Sequence, residues 1–392
     1  MSDIKRGGIY VHIPYCKKKC LYCDFYSGGN KYVDWKIYVE SILKELSSRK
    51  KEIDFIPVTL YFGGGTPSLM PEEYFQMLVT GMKRILNSDS LFQEITIEIN
   101  PDDVTENKCK IWKESGVNRA SVGIQSFVDR ELNIIGRRHS ANGAENAYIL
   151  LKKYFDNISI DLIWGLPAQT LESWTFSINK SIDLNPQHIS AYSLTLEEGT
   201  PLNLFIKNGK FILPSENEWI EMWYVLNDNF IKAGYRQYEI SNFAKPGFES
   251  IHNLSYWTGK PYIGLGPAAH SYDGKDVRRW NPADLKTYLN FFSDELENGN
   301  AKTDPSSRPK FYEFERLTEK EKIEEFLMTR LRLDIGFNLN EFISKFGINE
   351  FKLLKKKIAP LIENKKLIEK NDNVFINQSF YNISNSIISS LF

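Results

Sequence analysis

Short runs of β-branched and aromatic residues alternate with longer amphipathic segments through the first half of the chain. Between the first two runs, apolar residues recur at helical spacing from Trp35 to Leu46, which predicts an amphipathic helix. Further helices are predicted at 71–86, 105–115, 141–155 and 170–184. Strands are predicted at 8–13, 57–62, 94–99, 119–124, 157–164 and 188–194. Six β–α units in a row imply parallel strands joined by right-handed crossovers.

Polar residues gather near the carboxyl ends of these predicted strands. Glu98 and Asn100 end the third strand, Gln125 follows the fourth, and Asp161 lies in the second half of the fifth. The reactive face of an α/β barrel is built from such strand ends and the loops after them. Six units are too few for a complete eight-unit barrel. We therefore predict an α/β fold, a six-unit partial (β/α) barrel with one site at its mouth.

The last part of the chain has a different pattern. The linker-like segment Asp304-Pro-Ser-Ser-Arg-Pro309 predicts a boundary between a core, residues 1–300, and a C-terminal domain, residues 310–392. Helices are predicted at 318–332, 339–346 and 351–364, followed by a hairpin of 367–369 and 374–376 around Asn371-Asp-Asn. This order resembles a winged helix, which leaves nucleic-acid binding as an alternative. Because the lysines at 355–357 lie among glutamates, we expect a lid or a partner surface, and no nucleic acid.

Composition narrows the class of protein. The chain has 392 residues, of which 42% are hydrophobic and 25% charged, as in ordinary globular proteins. A net charge of −1 gives no general electrostatic reason to bind nucleic acid. The sequence has no secretory h-region and no apolar run as long as a membrane span. We expect a cytoplasmic protein that meets the membrane only through its partners.

Three of the four cysteines lie within eight residues of one another, as Cys16, Cys20 and Cys23. A C-x3-C-x2-C loop can bring three thiolates to one iron–sulfur cluster, whereas electron-transfer clusters take four. The missing ligand leaves one iron open to a small molecule. The alternatives are three buried thiols or a zinc site, which would need a fourth ligand such as His12. We favour the cluster, and expect Cys109 to be an inert core residue.

Other side chains offer binding groups at the same predicted face. The glycines at 63–65 let backbone groups approach a ligand closely, although a plain turn would also explain them. Glu98 can accept hydrogen bonds from an ammonium or a hydroxyl, and Asp161 from ribose hydroxyls. Gln125 can donate and accept. Arg137 can grip a carboxylate with two N–H groups, or can equally be a solvated surface charge.

A second group of residues suggests a flat, metal-containing ligand. The run His252-Asn253-Leu-Ser-Tyr256-Trp257 combines an imidazole with aromatic surfaces that suit a macrocycle, and histidine commonly ligates haem iron. The alternative is a buried histidine in an aromatic core, which the pattern alone favours. His270 lies in Gly264-Leu-Gly-Pro-Ala-Ala-His-Ser, a segment expected to lack regular structure. It is a second candidate ligand or, as we favour, a structural histidine.

Several motifs together resemble the radical S-adenosylmethionine superfamily. They are the cysteine loop, the glycine triplet through Pro67, and three segments that begin Glu98-Ile-Asn-Pro, Ser121-Val-Gly-Ile-Gln and Asp161-Leu-Ile-Trp-Gly. They are most similar to the branch that holds oxygen-independent coproporphyrinogen III dehydrogenase and related haem chaperones. The resemblance runs from about Tyr10 to the carboxyl terminus. It implies a 4Fe–4S cluster whose open iron binds the amino and carboxylate groups of S-adenosylmethionine.

The resemblance also assigns binding residues. Tyr22 matches the aromatic residue that packs near the adenine of S-adenosylmethionine. The other positions that match contacts to this molecule are Tyr10, Gly64, Gly65, Thr66, Glu98, Gln125, Arg137 and Asp161. The second motif is similar to a haem-binding motif, which implies haem contacts at His252, Asn253, Tyr256 and Trp257, with His252 as the leading iron ligand.

Departures from the dehydrogenase pattern indicate the branch. Phe25 stands where the dehydrogenase carries a further cysteine. The dehydrogenase also has a substantial amino-terminal extension before its cluster loop, whereas the loop begins at residue 16 here. Tyr238-Glu-Ile-Ser-Asn-Phe-Ala and the His252 motif, both within 235–272, resemble the chaperones, although Ser250 replaces a cysteine of many relatives. The resemblance thus implies a haem carrier with haemoproteins as clients, membrane-associated respiratory proteins among them. The alternative is an oxidoreductase acting on a porphyrinogen, and coproporphyrinogen dehydrogenase activity is not expected.

Overall fold

A computed structural model of the chain describes residues 5–29, 34–87, 92–297 and 311–392. The strands are β1 Arg6–Ile13, β2 Tyr15–Cys16, β3 Gly28–Gly29, β4 Ile56–Gly64, β5 Glu94–Ile99, β6 Arg119–Gln125, β7 Ile158–Trp164, β8 His188–Ser193, β9 Arg236–Gln237, β10 Asn242–Ala244, β11 Tyr262–Leu265, β12 His270–Tyr272, β13 Val277–Trp280, β14 Glu313–Arg316, β15 Phe337–Asn338, β16 Leu367–Lys370 and β17 Asn373–Ile376. The helices are α1 Trp35–Arg49, α2 Glu72–Leu86, α3 Glu106–Glu114, α4 Asp129–Ile134, α5 Ala141–Leu151, α6 Leu171–Leu184, α7 Pro201–Lys207, α8 Glu216–Lys232, α9 Ile251–Trp257, α10 Leu285–Glu297, α11 Glu319–Arg330, α12 Leu339–Glu363 and α13 Ser384–Ser389.

The six predicted parallel strands form the centre of one large sheet. Strands β1, β4, β5, β6, β7 and β8 lie side by side in chain order, and each pairs in parallel with the next. Both faces of these strands are largely buried, as expected where helices cover the outside of a parallel sheet. Within the described ranges the sheet does not close, because β14 and β9 are its outer strands. The prediction of a six-unit partial barrel is confirmed.

Both edges of the sheet extend beyond the predicted strands. On one side β10 and β9 add antiparallel to β8, and on the other β11 pairs in parallel with β1 and is followed by antiparallel β12, β13 and β14. The expectation that the segment around His270 lacks regular structure was wrong. Gly266 and Ala268 take positive φ angles of 97° and 61° in the turn, so the glycine-rich residues make the hairpin rather than prevent it.

Helix α9, which carries the motif from His252 to Trp257, packs against the amino-terminal half of the barrel strands. Glu94, the first residue of β5, accepts hydrogen bonds from the backbone N–H groups of Ile251 (2.9 Å) and His252 (3.0 Å). A carboxylate at the start of a helix satisfies N–H groups that have no partner within the helix. Ser250 caps the same end through its hydroxyl and is fully buried. The segment 235–272 therefore joins the two edges of the sheet and carries a helix against the base of the barrel.

The C-terminal domain has the helices and hairpin that the sequence predicts. The helices predicted at 339–346 and 351–364 are the two halves of α12, which is broken at Gly347, where φ is 88°. Asn371 and Asp372, both with positive φ, form the turn between β16 and β17, and β15 adds a third strand that was not predicted. The predicted linker 304–309 lies outside the described residues, and β14 after it still pairs with the core sheet. In the described part of the chain, no helix combines the length and apolar character needed to span a bilayer.

Candidate functional site

A cavity of about 1080 Å³ occupies the open barrel between the cysteine loop and the C-terminal domain. All predicted site residues except His252 line it. The barrel strands and the loops after them supply many of the polar side chains, as in α/β barrels generally. Met328 and Thr329 of α11 form part of the wall, as expected for a lid. The sites predicted separately for a cluster, S-adenosylmethionine and a macrocycle thus share one continuous space.

The three clustered cysteines lie at one end of this cavity, half-buried and free of disulfides. Thr66 Oγ1 donates to Cys16 Sγ at 3.3 Å, and Arg137 Nη1 donates to Cys20 Sγ at 3.4 Å. Burial raises the pKa of the Cys16 thiol, and the hydrogen bond from Thr66 acts in the opposite direction. Cys109 is fully buried in α3, as predicted for a core residue. The donor set and its surroundings fit a cluster with three cysteine ligands.

The zinc alternative is not supported by the surroundings of His12. Its Nδ1 is hydrogen-bonded to the hydroxyl of Tyr10 at 3.1 Å, and its Nε2 to the carbonyl oxygen of Tyr26 at 2.9 Å. Both ring nitrogens are therefore engaged, so His12 does not provide a fourth ligand. Among the residues that the structure describes, no group of three or more histidine, cysteine or carboxylate side chains is arranged to hold a single metal ion.

The glycine triplet is required by close contacts and by backbone conformation. Gly64 has a φ of 105°, and a Cβ there would lie 2.5 Å from the ring of His12. A Cβ on Gly65 would lie 2.7 Å from the carbonyl oxygen of Ile13. Only glycine fits at either position. The backbone N–H of Gly64 is then free to donate to Glu98 Oε2 at 3.1 Å, so the triplet positions this carboxylate.

Glu98 lies at the end of β5 with its carboxylate facing the cavity. Tyr61 donates its hydroxyl to Oε1 at 2.9 Å. Burial raises the pKa of Glu98 to about 7, although the hydrogen bonds from Tyr61 and Gly64 act in the opposite direction. A carboxylate with so much desolvation is stabilised by a bound cation or by further donors. This is the property expected of a residue that receives an amino group.

Gln125 and Arg137 meet at the end of β6. Gln125 has a φ of 71°, an unfavourable conformation for a residue other than glycine and one often found at functional sites. Arg137 Nη2 donates to Asn100 Oδ1 at 2.8 Å and to the carbonyl oxygen of Gly123 at 2.6 Å. The interpretation of Arg137 as a solvated surface charge was therefore wrong. Its buried Nε has no partner among the described residues, which leaves a donor for a ligand.

Asp161 sits in the wall of the cavity among hydroxyl groups. Ser121 Oγ donates to Oδ2 at 2.9 Å, and Ser159 Oγ donates to Oδ1 at 3.1 Å. Burial is the main cause of the raised pKa of Asp161. Ser121, Ser159 and Ser190 thus supply hydrogen bonds to this carboxylate from within the protein, and the acceptor positions that remain can take hydroxyls of a ligand. Tyr10 and Tyr22 line the same space, and Tyr22 lies within the cysteine loop, between Cys20 and Cys23.

Sequence reasoning missed Arg119, whose guanidinium is buried at the cavity. Its side chain is 1% exposed, and its Nε and Nη1 have no hydrogen-bond partner among the described residues. The carboxylates of Glu94 and Asp161 attract it. Arg119 begins β6, where a charge usually meets solvent, so its position in the chain gave no signal. It balances the acidic groups that the strand ends bring together.

The structure does not give His252 the free ring nitrogen on which its predicted role depends. Its Nδ1 is hydrogen-bonded to Thr59 Oγ1 at 2.7 Å, and its Nε2 to the hydroxyl of Tyr256 at 2.8 Å. The ring is 1% exposed and stacks on Tyr61 with centroids 4.9 Å apart. His252 therefore has the environment of the alternative interpretation, a buried histidine in an aromatic core. Its neighbours Asn253, Tyr256 and Trp257 do face the cavity.

His270 has the opposite environment. It is exposed in β12 and lines the cavity, and its ring stacks on Trp280 with centroids 5.8 Å apart. No hydrogen bond to its ring occurs within the described ranges, so it is not the satisfied structural histidine that we favoured. The glycines before His270 were the available signal in the sequence. We interpreted them as irregular structure, whereas they form the turn between β11 and β12.

Comparisons with known proteins agree with the motifs. A model described as the radical SAM superfamily matches residues 10–178, and one described as the HemN C-terminal domain matches residues 317–379. The chain is 36% identical over 346 residues to the heme chaperone HemW of Bacillus subtilis, covering 86% of each chain. It is 34% identical over 384 residues to the heme chaperone HemW of Lactococcus lactis, covering 98% of this chain and 96% of that one.

A solved structure shows the same fold over nearly the whole chain. Coproporphyrinogen III oxidase (HemN) from Escherichia coli superposes with a TM-score of 0.79, at 20% identity, over 99% of this chain and 90% of that chain. At this identity the similarity concerns the fold. The relatives of higher identity decide the family, and they confirm the resemblance found in the motifs. The chain belongs to the heme chaperone HemW family of the radical S-adenosylmethionine superfamily.

Proposed function

We propose that this protein is a haem chaperone, which binds haem in the barrel cavity and transfers it to client haemoproteins. The observation that carries the proposal is the continuity of the cavity, which has three thiols at one end and an aromatic wall with an imidazole at the other. Family membership supports it, because the relatives bear the name of heme chaperone. Membrane-associated respiratory proteins are one class of client, and the cytoplasm is the compartment we propose.

The residues present fit both the cluster and S-adenosylmethionine. Cys16, Cys20 and Cys23 would hold a 4Fe–4S cluster, which when bound offers an open iron to S-adenosylmethionine and carries electrons. The backbone at Gly64 and Gly65 makes room for a ligand. Around it, acceptors and donors for an amino group, a carboxylate and ribose hydroxyls are supplied by Tyr10, Thr66, Glu98, Gln125, Arg137 and Asp161, with Tyr22 placed for an adenine.

The aromatic end of the cavity fits a flat apolar ligand. Tyr256, Trp257, Tyr262 and Tyr272 line it together with Asn253. The indole N–H of Trp257 is buried without a partner in the described part of the chain, which marks a donor available to a ligand. Burial of a macrocycle against these rings would supply most of the affinity, at about 25 cal/mol per Å² of apolar area.

Haem binding is tested with a matched pair of tryptophan variants. The anaerobically reconstituted protein should bind about one haem, as measured by absorbance titration. Trp257→Leu removes part of the aromatic wall and should weaken binding by about 1–2 kcal/mol. Trp219→Leu is the control, because Trp219 is partly buried against Trp164 and does not line the cavity. Equal dissociation constants for the two variants would place haem elsewhere.

Transfer is tested separately from binding. Haem-loaded protein should restore the activity of a membrane-associated respiratory haemoprotein, prepared without its haem, faster than an equal amount of free haem does. Equal rates would show that the protein only stores haem. The test uses activity of the client, so it does not depend on knowing whether S-adenosylmethionine is consumed.

A second candidate function is a radical oxidoreductase that acts on a porphyrinogen. It is favoured by the complete set of strand-end residues that face the cavity, which a passive carrier would not need. Phe25 stands against it, because this side chain is 69% exposed at the cavity rim and supplies no thiol. Chromatography of the porphyrins after anaerobic incubation with reductant and S-adenosylmethionine distinguishes the two, since a carrier leaves the porphyrinogen carboxylates intact.

A further inference from the structure

A row of side chains crosses the edge of the sheet at the aromatic end of the cavity. Tyr262 of β11 lies opposite Tyr272 of β12, and Tyr272 lies opposite Arg278 of β13. Residues directly opposite each other in antiparallel strands have their side chains on the same face of the sheet. All three side chains line the cavity, so its wall runs from two aromatic rings to a guanidinium group.

The rings of this row belong to a larger aromatic surface. The centroids of Tyr262 and Tyr272 are 6.4 Å apart, and the ring of Tyr256 meets that of Tyr262 edge to face at 4.6 Å. A flat ligand that lies on these rings would have one edge beside Arg278. The next residue in the row is Glu315 of β14, which lies opposite Arg278 but does not line the cavity.

The guanidinium of Arg278 has a carboxylate partner from the C-terminal domain. Its Nη2 lies 2.6 Å from Oε1 of Glu325 in α11, and the two side chains are 35% and 17% exposed. Its Nε is buried and has no hydrogen-bond partner among the residues that the structure describes. An arginine can hold a carboxylate through parallel N–H groups. Glu325 therefore leaves part of the binding capacity of Arg278 unused.

Glu325 belongs to the face of α11 that forms the cavity wall. Met328 and Thr329 follow it by three and four residues, a spacing that places side chains on one face of a helix, and all three line the cavity. Two other cavity arginines lie near the cysteine loop, where Arg137 bonds to Cys20 and Arg138 to Asp103. Arg278 is thus placed to give the aromatic end a positive charge.

We propose that Arg278 anchors a carboxylate of the ligand that fills the cavity, and that Glu325 occupies this anchor when the cavity is empty. The inference rests on the proposed function, because it assigns the recognition of the propionate groups that haem carries at one edge of its ring. A propionate that displaces Glu325 would bind both Nε and Nη2 of Arg278. Filling of the cavity thereby breaks a contact between the barrel and α11.

Other contacts keep the C-terminal domain attached when this one is broken. Arg236 Nη2 lies 2.6 Å from Oδ2 of Asp334, and neither residue lines the cavity. Strand β14, which precedes α11, stays paired with β13 of the core sheet. Glu325 then acts as an internal competitor, which lowers the affinity for the ligand. This property suits a carrier that must release what it binds.

The test measures dissociation constants of haem and of haem dimethyl ester with the full-length, reconstituted protein. The ester keeps the ring and the iron but has no carboxylate. Arg278→Gln should weaken the binding of haem about tenfold, because charge-assisted hydrogen bonds are lost. Glu325→Gln should tighten it about threefold, because the competing ion pair is removed. Neither substitution should change the binding of the ester.

Arg236→Gln is the matched control, because it breaks an ion pair between the core and the C-terminal domain outside the cavity. It should leave both dissociation constants unchanged. Tighter binding of haem, but not of its ester, by Glu325→Gln supports the displacement, and a misfolded variant would not produce this gain.

The remaining outcomes contradict one proposal or both. If Glu325→Gln and Arg278→Gln bind haem as wild type does, the anchor assignment is wrong and haem binding stands. If Arg278→Gln weakens the binding of haem and of its ester equally, its side chain has only a structural role, which also overturns the anchor. Failure of wild type to bind either molecule overturns the proposed function itself, and the anchor with it.

Discussion

Glu98 gives the candidate site an electrostatic property that can be measured without any ligand. Its carboxyl group has a pKa raised to about 7 by burial, from 4.5 in the unfolded chain. Between these two values the folded protein holds a proton that the unfolded chain has lost. The contribution of Glu98 to stability is therefore fully present below the unfolded pKa and is lost as the pH rises through the folded pKa. Replacement of Glu98 by Gln should remove this dependence.

The size of the effect follows from the two pKa values. With pKa values of about 4.5 and 7, the linkage relation gives a loss of at most about 2.5 kcal/mol between about pH 5 and about pH 8. Glutamine keeps the local hydrogen bonds, because its carbonyl oxygen can accept from Gly64 and its amide can donate to the hydroxyl of Tyr61. The difference between wild type and Glu98→Gln therefore isolates the ionisation.

Glu239 provides a matched control. Burial also raises its pKa to about 7, and its side chain is 2% exposed, but it does not line the cavity. Glu239→Gln should flatten the pH dependence of stability to a similar extent. Only Glu98→Gln should also weaken the binding of S-adenosylmethionine, because of these two carboxylates only Glu98 lines the cavity. The pair thus separates a buried carboxylate from a binding carboxylate.

The assay is urea unfolding of the cluster-free protein, followed by circular dichroism over a series of pH values. The difference in free energy of unfolding between Glu98→Gln and wild type should grow as the pH rises. Parallel curves for the two proteins would show that Glu98 is ionised in the folded state at ordinary pH. The argument that burial dominates its hydrogen bonds would then be wrong.

Three further predictions concern the cofactors and the reaction. Replacing any one of the three clustered cysteines by Ala should abolish the broad visible absorption of the reconstituted cluster, whereas Cys109→Ala should leave it unchanged; loss of absorption in folded Cys109→Ala would overturn the ligand assignment. S-adenosylmethionine should perturb the electron paramagnetic resonance spectrum of the cluster, and Asp161→Ala should weaken its binding by about 1–3 kcal/mol; an unperturbed spectrum in wild type would refute the site. Finally, anaerobic assays should show no conversion of coproporphyrinogen III, because Phe25 offers no thiol, and robust turnover would favour the oxidoreductase.

The barrel was predictable because its signals are local. The six central strands are continuous runs of buried residues with turn residues at their ends, and each was found within two residues of its predicted bounds. Strands β9, β10 and β12 have two or three residues each, too few to show an alternating pattern. Their pairing depends on the sheet edges that the barrel leaves open, so nothing within these short segments indicates them.

Positions in the site were predictable where a motif fixes them, but their environments were not. Strands β4, β5, β6 and β7 brought Gly64, Glu98, Gln125 and Asp161 to one cavity, as expected from the barrel geometry. The burial of Arg137 depends on contacts with Asn100 and Gly123, which lie on other strands or beyond turns. The sequence around Arg137 contains exposed polar residues, so it resembles any solvated loop.

The two histidines show why a motif does not settle the environment of its side chains. The run from His252 to Trp257 places an imidazole next to aromatic residues in sequence, but a helix puts residue 256 one turn away on the same face. Tyr256 therefore bonds Nε2 of His252, and Thr59 of β4 engages Nδ1. His270 has no aromatic neighbour within one residue, yet strand pairing sets it opposite Trp280. The availability of a ring nitrogen is decided by such tertiary partners, so only the folded structure can distinguish the two side chains.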